Sequence, residues 1–412
     1  MATSGCAGKL QDLTIRMNQK QDLWVISELF PPEETSTAYI MGTIANAFVG
    51  KYDVRVICGP EYYDEKKSTI GGGVKIDESI KVFRLPGVKE NKKSKLSRIK
   101  KFLLMSWRIY KKAKKEIKQG DKVLVVSNPF PLIVLMGHLR RHINFELTML
   151  VHDIFPEGLY TEMSIPAFVY KALGRVFNKA YASTDKLISL GRDMSEVLAQ
   201  KVEKCSKHPD IVLIENWGDV EGIKPQEASA DSYVRIQYAG NIGRAQGVGD
   251  FVEMLHEADN DDIVFNIWGT GSTEEDIKQR VAELKMDVQV KFNGPYSRSQ
   301  QQYVLNDSDL SIVTLVKGMY GLGVPSKTYN ILAAGKPILY IGEKGTEIWR
   351  TVEENHIGYC FEPDDKEGVI SLLRTLSSKS LPILSEMGNN ARKVVENRYS
   401  EKVILNKFLE QI

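Results

Sequence analysis

Residues 319–339 read MYGLGVPSKTYNILAAGKPIL, and this stretch decides the fold. Gly321 and Gly323 permit tight backbone, Pro325 favours an extended approach, and Ser326 suits the N-cap of a helix over about Lys327 to Ala334. Gly335 ends that helix, Pro337 keeps it from resuming, and a buried strand follows. Turn, short helix and apolar strand in direct succession make one α/β unit. A glycine-rich approach to a helix N-terminus presents unpaired N–H groups at a positive dipole end, a site for phosphate or carboxylate, and Lys327 adds a mobile cation. The plainer alternative is structural only, with Ala333 and Ala334 letting the helix lie close on a sheet.

Working outward, Val234–Ala239 reads as a strand that opens into GNIGRAQGVGDF. The spacings of Gly240, Gly243 and Gly247 fit neither the dinucleotide fingerprint nor the triphosphate loop. It is still a strand-to-helix turn, with Arg244 inside it to hold a phosphate. Ile263–Trp268 leads to a second glycine turn at Gly269 and Gly271, with Ser272 or Thr273 capping a helix. Val288–Phe292 leads to GPYSRSQ, where Tyr296 is either a base-stacking aromatic or an ordinary loop residue. Asp307 and Asp309 have the spacing of a metal-binding Asp-x-Asp, but Asp309 runs straight into the apolar strand LSIVTLV, so a metal role is rejected.

Toward the N-terminus, strands are expected at Leu23–Ser27, Asp53–Cys58, Lys81–Leu85, Lys122–Ser127 and Glu146–Val151, with Gly71–Gly73 a flexible turn. The first strand is followed by FPPEETST, a rigid loop whose Ser36 or Thr37 caps the next helix. The fifth ends in VHDIFPEGL, and polar groups at the carboxyl end of a parallel strand are where open α/β sheets put ligands. His152, Asp153 and Glu157 are therefore candidates, although Asp153 can equally cap a helix and Glu157 favour its first turn. A helix over Pro166–Ala182, strands at Lys186–Ser189 and Ile211–Glu215, and a linker over Glu221–Ser232 follow. Asn389–Ile412 is helical, interrupted near Tyr399.

A chain of 412 residues with 42% hydrophobic content suits two domains. It has no run of eighteen apolar residues to cross a membrane. Four widely spaced cysteines point to a reduced, cytoplasmic protein without structural zinc. The net charge of +2 conceals a division: residues 1–200 hold 31 Lys and Arg against 21 Asp and Glu, and the remainder 24 against 32. The N-terminal half thus expects an anionic neighbour. Its basic block, residues 89–118, repeats Leu96, Ile99, Leu103 and Trp107 at helical spacing, which suits an anionic membrane surface or, alternatively, a stripe facing its own core. No nucleic-acid module accompanies it.

FPPEETSTAYIMGTIANAF, YAGNIGRAQGVGDF and the 319–339 stretch together resemble glycosyltransferase family 4, of the GT-B fold, and within it the bacterial members that assemble capsule, O-antigen and exopolysaccharide units. The resemblance runs from about Asp22 to the C-terminus. It implies two facing Rossmann-like domains: a loose extension over 1–21, an acceptor domain over 22–222, a nucleotide-sugar domain over 223–392, and a C-terminal helix over 393–412 crossing back. It implies retaining transfer of a hexose-type sugar from a UDP-sugar co-substrate to a hydroxyl acceptor, plausibly a polyprenyl-linked glycan, with no metal or other cofactor, at the inner face of the plasma membrane.

By the same resemblance Gly240, Asn241, Gly243, Arg244, Gln246, Gly269, Gly271, Tyr296, Gly323, Val324, Pro325, Ser326, Lys327 and Asn330 line the donor site. Asp153, Glu157, Arg244 and Lys327 are the catalytic candidates, and Pro32, Thr35, Ser36 and His152 line the acceptor side. The chain departs from the family where two cations are usual, at Asn241 and Gln246, and where two carboxylates are usual, at Leu322 and Asn330. Those departures keep open a non-catalytic nucleotide-sugar-binding protein; a UDP-sugar 2-epimerase is the other alternative on this fold.

Overall fold

The computed structural model describes residues 20–62, 74–88, 95–158, 166–226 and 233–412. The Gly71–Gly73 turn, most of the N-terminal extension, residues 89–94 of the basic block and residues 227–232 of the expected linker lie outside the described residues.

Strands β1 (Asp22–Ser27), β2 (Asp53–Cys58), β3 (Lys81–Arg84), β4 (Lys122–Val126), β5 (Glu146–Leu150), β6 (Lys186–Ser189) and β7 (Asp210–Leu213) form a sheet of order β3-β2-β1-β4-β5-β6-β7. A second sheet, β8 (Val234–Ala239), β9 (Ile263–Trp268), β10 (Val290–Gly294), β11 (Leu310–Thr314), β12 (Ile338–Ile341) and β13 (Gly358–Phe361), has the order β10-β9-β8-β11-β12-β13. The strand pairings are parallel in both. Near-continuous Val and Leu in β4 reflect burial on both faces, as helix-covered parallel sheets require, and β8 is buried throughout even though it carries Arg235 and Gln237. Among the described residues, one compact unit takes those up to Leu150 with Ser183–Asp185, and the other takes Val151–Ala182 and Lys186–Ile412.

In the first unit, helix α1 (Ser36–Ala47) follows β1, and α2 (Lys95–Glu116) packs with α3 (Pro131–His142). The expected cap of α1 is corrected by one residue: Thr35, in extended backbone, accepts from the Ala38 N–H at 3.2 Å, which commits its hydroxyl to the helix. The basic helix also turns differently from a core-facing stripe. Met105, Ile109, Ala113 and Ile117 face inward, while Leu103, Leu104 and Trp107 are 53%, 38% and 48% exposed.

In the second unit, α4 (Ala167–Tyr181) and α5 (Arg192–Val202) precede the second sheet. Helices α6 (Val248–Ala258), α7 (Glu274–Glu283), α8 (Gln301–Asn306), α9 (Lys327–Ala333), α10 (Glu347–Asn355) and α11 (Lys366–Thr375) follow successive strands of that sheet. Its core interlocks Ile236, Phe251, Phe265, Ile312 and Leu339, with Phe251 edge-on to Phe265 at 4.9 Å. The C-terminal segment is α12 (Leu381–Arg398) and α13 (Glu401–Gln411), broken at Tyr399 where the apolar pattern skips. It returns to the first sheet: Lys186 of β6 donates to Gln411, and Lys407 pairs with Glu215 at 2.6 Å beyond β7.

Candidate functional site

In the second sheet the chain order reverses between β8 and β11, and open α/β sheets bind ligands outside the carboxyl ends of strands at such a reversal. Both stretches singled out from sequence fall there. The loop after β8 is Gly240–Gly247, the loop after β11 is residues 315–326, and Val316 N–H donates to Ala245 O at 3.0 Å between them.

Lys327 opens α9 at this place. Its stem is partly exposed, but its Nζ is buried, has no hydrogen-bond partner among the described residues, and lies 3.5 Å from the centroid of the Tyr238 ring. It is also 3.6 Å from where a side chain on Gly240 would begin, which puts the ammonium in van der Waals reach of the glycine loop. Burial pushes the Lys327 pKa down to about 7. Helix α9 has seven residues, and Ser326 sits in helical backbone without a side-chain cap bond. The expected Ser326 cap is therefore corrected, and the lysine, not a helix dipole, carries the positive charge here.

The first glycine loop is built by packing as much as by openness. Asn241 donates to Gln246 at 3.4 Å, so the two positions without cations face each other, and Arg244 between them is exposed in a short 3-10 turn. A Cβ on Gly243 would strike both of those side chains. Gly269 and Gly271 serve the scaffold: a Cβ on the first would lie 1.8 Å from Gly240 O and on the second 2.1 Å from Ile242 O. The two turns zip together through Gly240 N–H to Trp268 O at 2.9 Å and Ile242 N–H to Thr270 O at 3.1 Å. Tyr296 stands edge-on to Trp268 at 6.3 Å, and burial raises its pKa. The Trp268 indole Nε1 is buried with no hydrogen-bond partner among the described residues.

The 315–326 loop is clamped from several sides. Glu343 accepts from the Gly318 and Tyr320 amides at 3.0 and 2.7 Å, and buried Asp193 at the start of α5 accepts from Gly321 at 3.1 Å. Gly321 has φ of +67° and no room for a side chain against Asp193 O and Val197. Burial raises the Asp193 pKa, offset by amides donated to it. Beside it Glu347, 2% exposed, is held by Arg192 through its backbone N–H and its guanidinium. Gly323, Val324 and Pro325 line a cavity of about 10 Å³ together with Asp193, Tyr340 and Glu347. Leu322 is buried, and its carbonyl accepts from Ile154 at 2.9 Å.

That bond brings the loop after β5 to the same place, where Asp153 bridges to Gly323. His152 is neutral there, its pKa pushed down to about 4 by burial. Glu157 is spent otherwise: both its oxygens bind Lys201 at 2.7 Å and Tyr170 donates to it at 3.2 Å. Asn330 likewise accepts from the Asp219 amide at 3.0 Å, fastening the NWGD segment. Asp307 and Asp309 both serve Arg235, at 3.2 and 3.0 Å. Pro32, Thr35 and Ser36 lie in the first unit.

Sequence reasoning missed Tyr238, Trp268, Asp193, Glu343 and Glu347. The one usable signal was position: Tyr238 is the penultimate residue of β8, two residues before Gly240, and Asp193 follows β6 closely.

Residues 219–394 match the family model described as glycosyl transferases group 1. The chain is 29% identical to a Pseudomonas aeruginosa protein named "Probable glycosyltransferase WbjE", over 94% of this chain and 96% of that one. It is 23% identical to the Escherichia coli K12 protein WcaI, named for colanic acid biosynthesis, over 56% and 57%. Among solved structures it is similar to sucrose-phosphate synthase of Thermosynechococcus elongatus, with a TM-score of 0.73 and 13% identity, covering 95% and 98%. HepE of Anabaena, solved with UDP-glucose, gives 0.69 and 13%, covering 95% and 100%. The fold is that of the GT-B glycosyltransferases, and the chain is a glycosyltransferase by its group 1 domain and its relative along most of its length.

Proposed function

We propose that this glycosyltransferase moves a hexose-type sugar, with retention and without an essential metal, from a UDP-sugar to a hydroxyl of a lipid-linked glycan in surface-polysaccharide assembly. The carrying observation is the Lys327 ammonium: buried, without a hydrogen-bonding partner, and placed beside Gly240 at the chain reversal of the second sheet. A buried cation lacking an anion is costly alone and is compensated when a phosphate binds. Negative charge grows on the departing diphosphate as the glycosidic bond breaks, so a cation fixed there lowers the barrier. Arg244, exposed on the neighbouring turn, is the second cation of this reading. Tyr296 and Trp268 offer an aromatic wall and an indole N–H to the base. Asp153, set against Gly323, is the catalytic carboxylate of this reading, whereas the role proposed for Glu157 is to hold its own loop through Lys201. WcaI, named for colanic acid biosynthesis, supports the polysaccharide context.

The same reading gives α2 an anionic lipid surface. Leu103, Leu104 and Trp107 project outward from a helix bearing Arg98, Lys100, Lys111, Lys114 and Lys115, an apolar strip flanked by cations. No helix among the described residues is long and apolar enough to cross a membrane.

Thermal melting against UDP-, GDP-, ADP- and CMP-sugars, with Lys327→Ala alongside, tests the donor assignment. A rise in melting point with uridine nucleotides alone, lost in the variant, is the expected result. Binding without turnover on any acceptor moves the chain to a non-catalytic nucleotide-sugar-binding role.

A further inference from the structure

Resting on that reading, we infer that Tyr238 is the positioning residue for the diphosphate cation: its ring face seats the Lys327 ammonium beside Gly240, at the loop where the diphosphate is proposed to bind. Tyr238 is 0% exposed, one face of its surroundings being the core of the second sheet. Its hydroxyl donates to the Asn241 carbonyl, which ties the ring to the glycine loop and keeps it from swinging. At 3.5 Å the ammonium is within close cation–π range, the electron-rich face standing where a counter-anion would. A lysine has four flexible bonds, so seating it beforehand removes an ordering cost from ligand binding.

The groups around this seat are few. Tyr296 approaches Tyr238 from beyond β10, Arg244 is exposed on the loop after β8, and Asp153 meets Gly323 on the lysine's own approach. The lowered pKa of Lys327 has burial as its cause. A bound diphosphate reverses that, so binding takes up a proton wherever the free lysine is neutral. Tyr238 acts on the cation and touches no reacting atom, so its removal raises donor KM more than it lowers kcat.

Calorimetric titration of the full chain with UDP from pH 6 to 9 tests the proposal. Affinity in the wild type is expected to fall about tenfold per pH unit above about 7. Tyr238→Phe retains affinity within about twofold, because the ring face remains. Pentafluorophenylalanine at position 238 keeps the shape and reverses the face charge. It is expected to lose about tenfold at pH 7 and to begin its decline at lower pH, since the ring no longer favours the charged lysine. Lys327→Arg, charged throughout, shows no decline in this range. Equal affinity and an equal pH profile for the two 238 variants overturn the role of Tyr238 while leaving the nucleotide site standing. A wild type that binds no uridine nucleotide at any pH overturns both readings.

Discussion

Lys327 sets binding against stability. Its folded pKa of about 7 lies below the roughly 10.4 of an unfolded lysine, so from pH 7 to 10 the unfolded chain holds more protons and stability rises with pH. The stability cost of the buried charge is full below pH 7 and fades above it. Lys327→Met is expected to melt about 1–3 °C higher than wild type at pH 6, with the gap closing by pH 10, while weakening nucleotide binding. Calorimetric melts across that range check the sign. His152 runs the same way at lower pH: held neutral by burial to about pH 4, it makes stability fall as pH drops from 6.5 toward 4. His152→Gln is expected to flatten the melting-point curve in that window only. Neither lysine nor histidine announced its burial in the sequence. VPSK and VHD read as polar loop, because burial there comes from Tyr238 and from segments distant in the chain.

Elements were more legible than contacts. Strand runs such as VRIQYA and IVFNIW were readable because burial on both faces leaves mostly apolar stretches ending at a glycine, and the break at Tyr399 was visible in the helical period. What the glycines do was not. Gly269 and Gly271 read as a glycine turn lining the donor site, yet their lack of side chains is needed by the backbone of Gly240 and Ile242. Gly271→Ala must push two main chains apart, and is expected to cost about 2–4 kcal/mol and to lower soluble yield along with nucleotide affinity, by urea unfolding. The basic helix is the converse case. Its Leu103 and Trp107 stripe was legible as a period, but not the side it faces, because Met105, Ile109 and Ala113 make an equally good inner stripe. Leu103→Glu with Trp107→Glu is expected to abolish sedimentation with anionic vesicles and to shift the melting point by under about 1 °C, the positions being exposed. Vesicles of neutral lipid bind neither protein.

At the scale of the molecule, two domains built on parallel sheets were implied by the family resemblance, whereas the order of strands within each sheet, with its reversal between β8 and β11, was not legible. The clamping of the 315–326 loop by Asp193, Glu343 and Ile154 was not legible, since nothing in those short segments marks a partner far along the chain. That clamp makes Lys327 a fixed cation, and the account's central claim is that this cation holds the leaving diphosphate. Its most direct test is UDP release from UDP-sugar in the presence of lipid-linked glycan acceptors, compared between wild type and Lys327→Ala at saturating donor. A fall in kcat of about 100-fold or more is predicted, as loss of a preorganised charge at the leaving group requires. Equal turnover in the two proteins would contradict it.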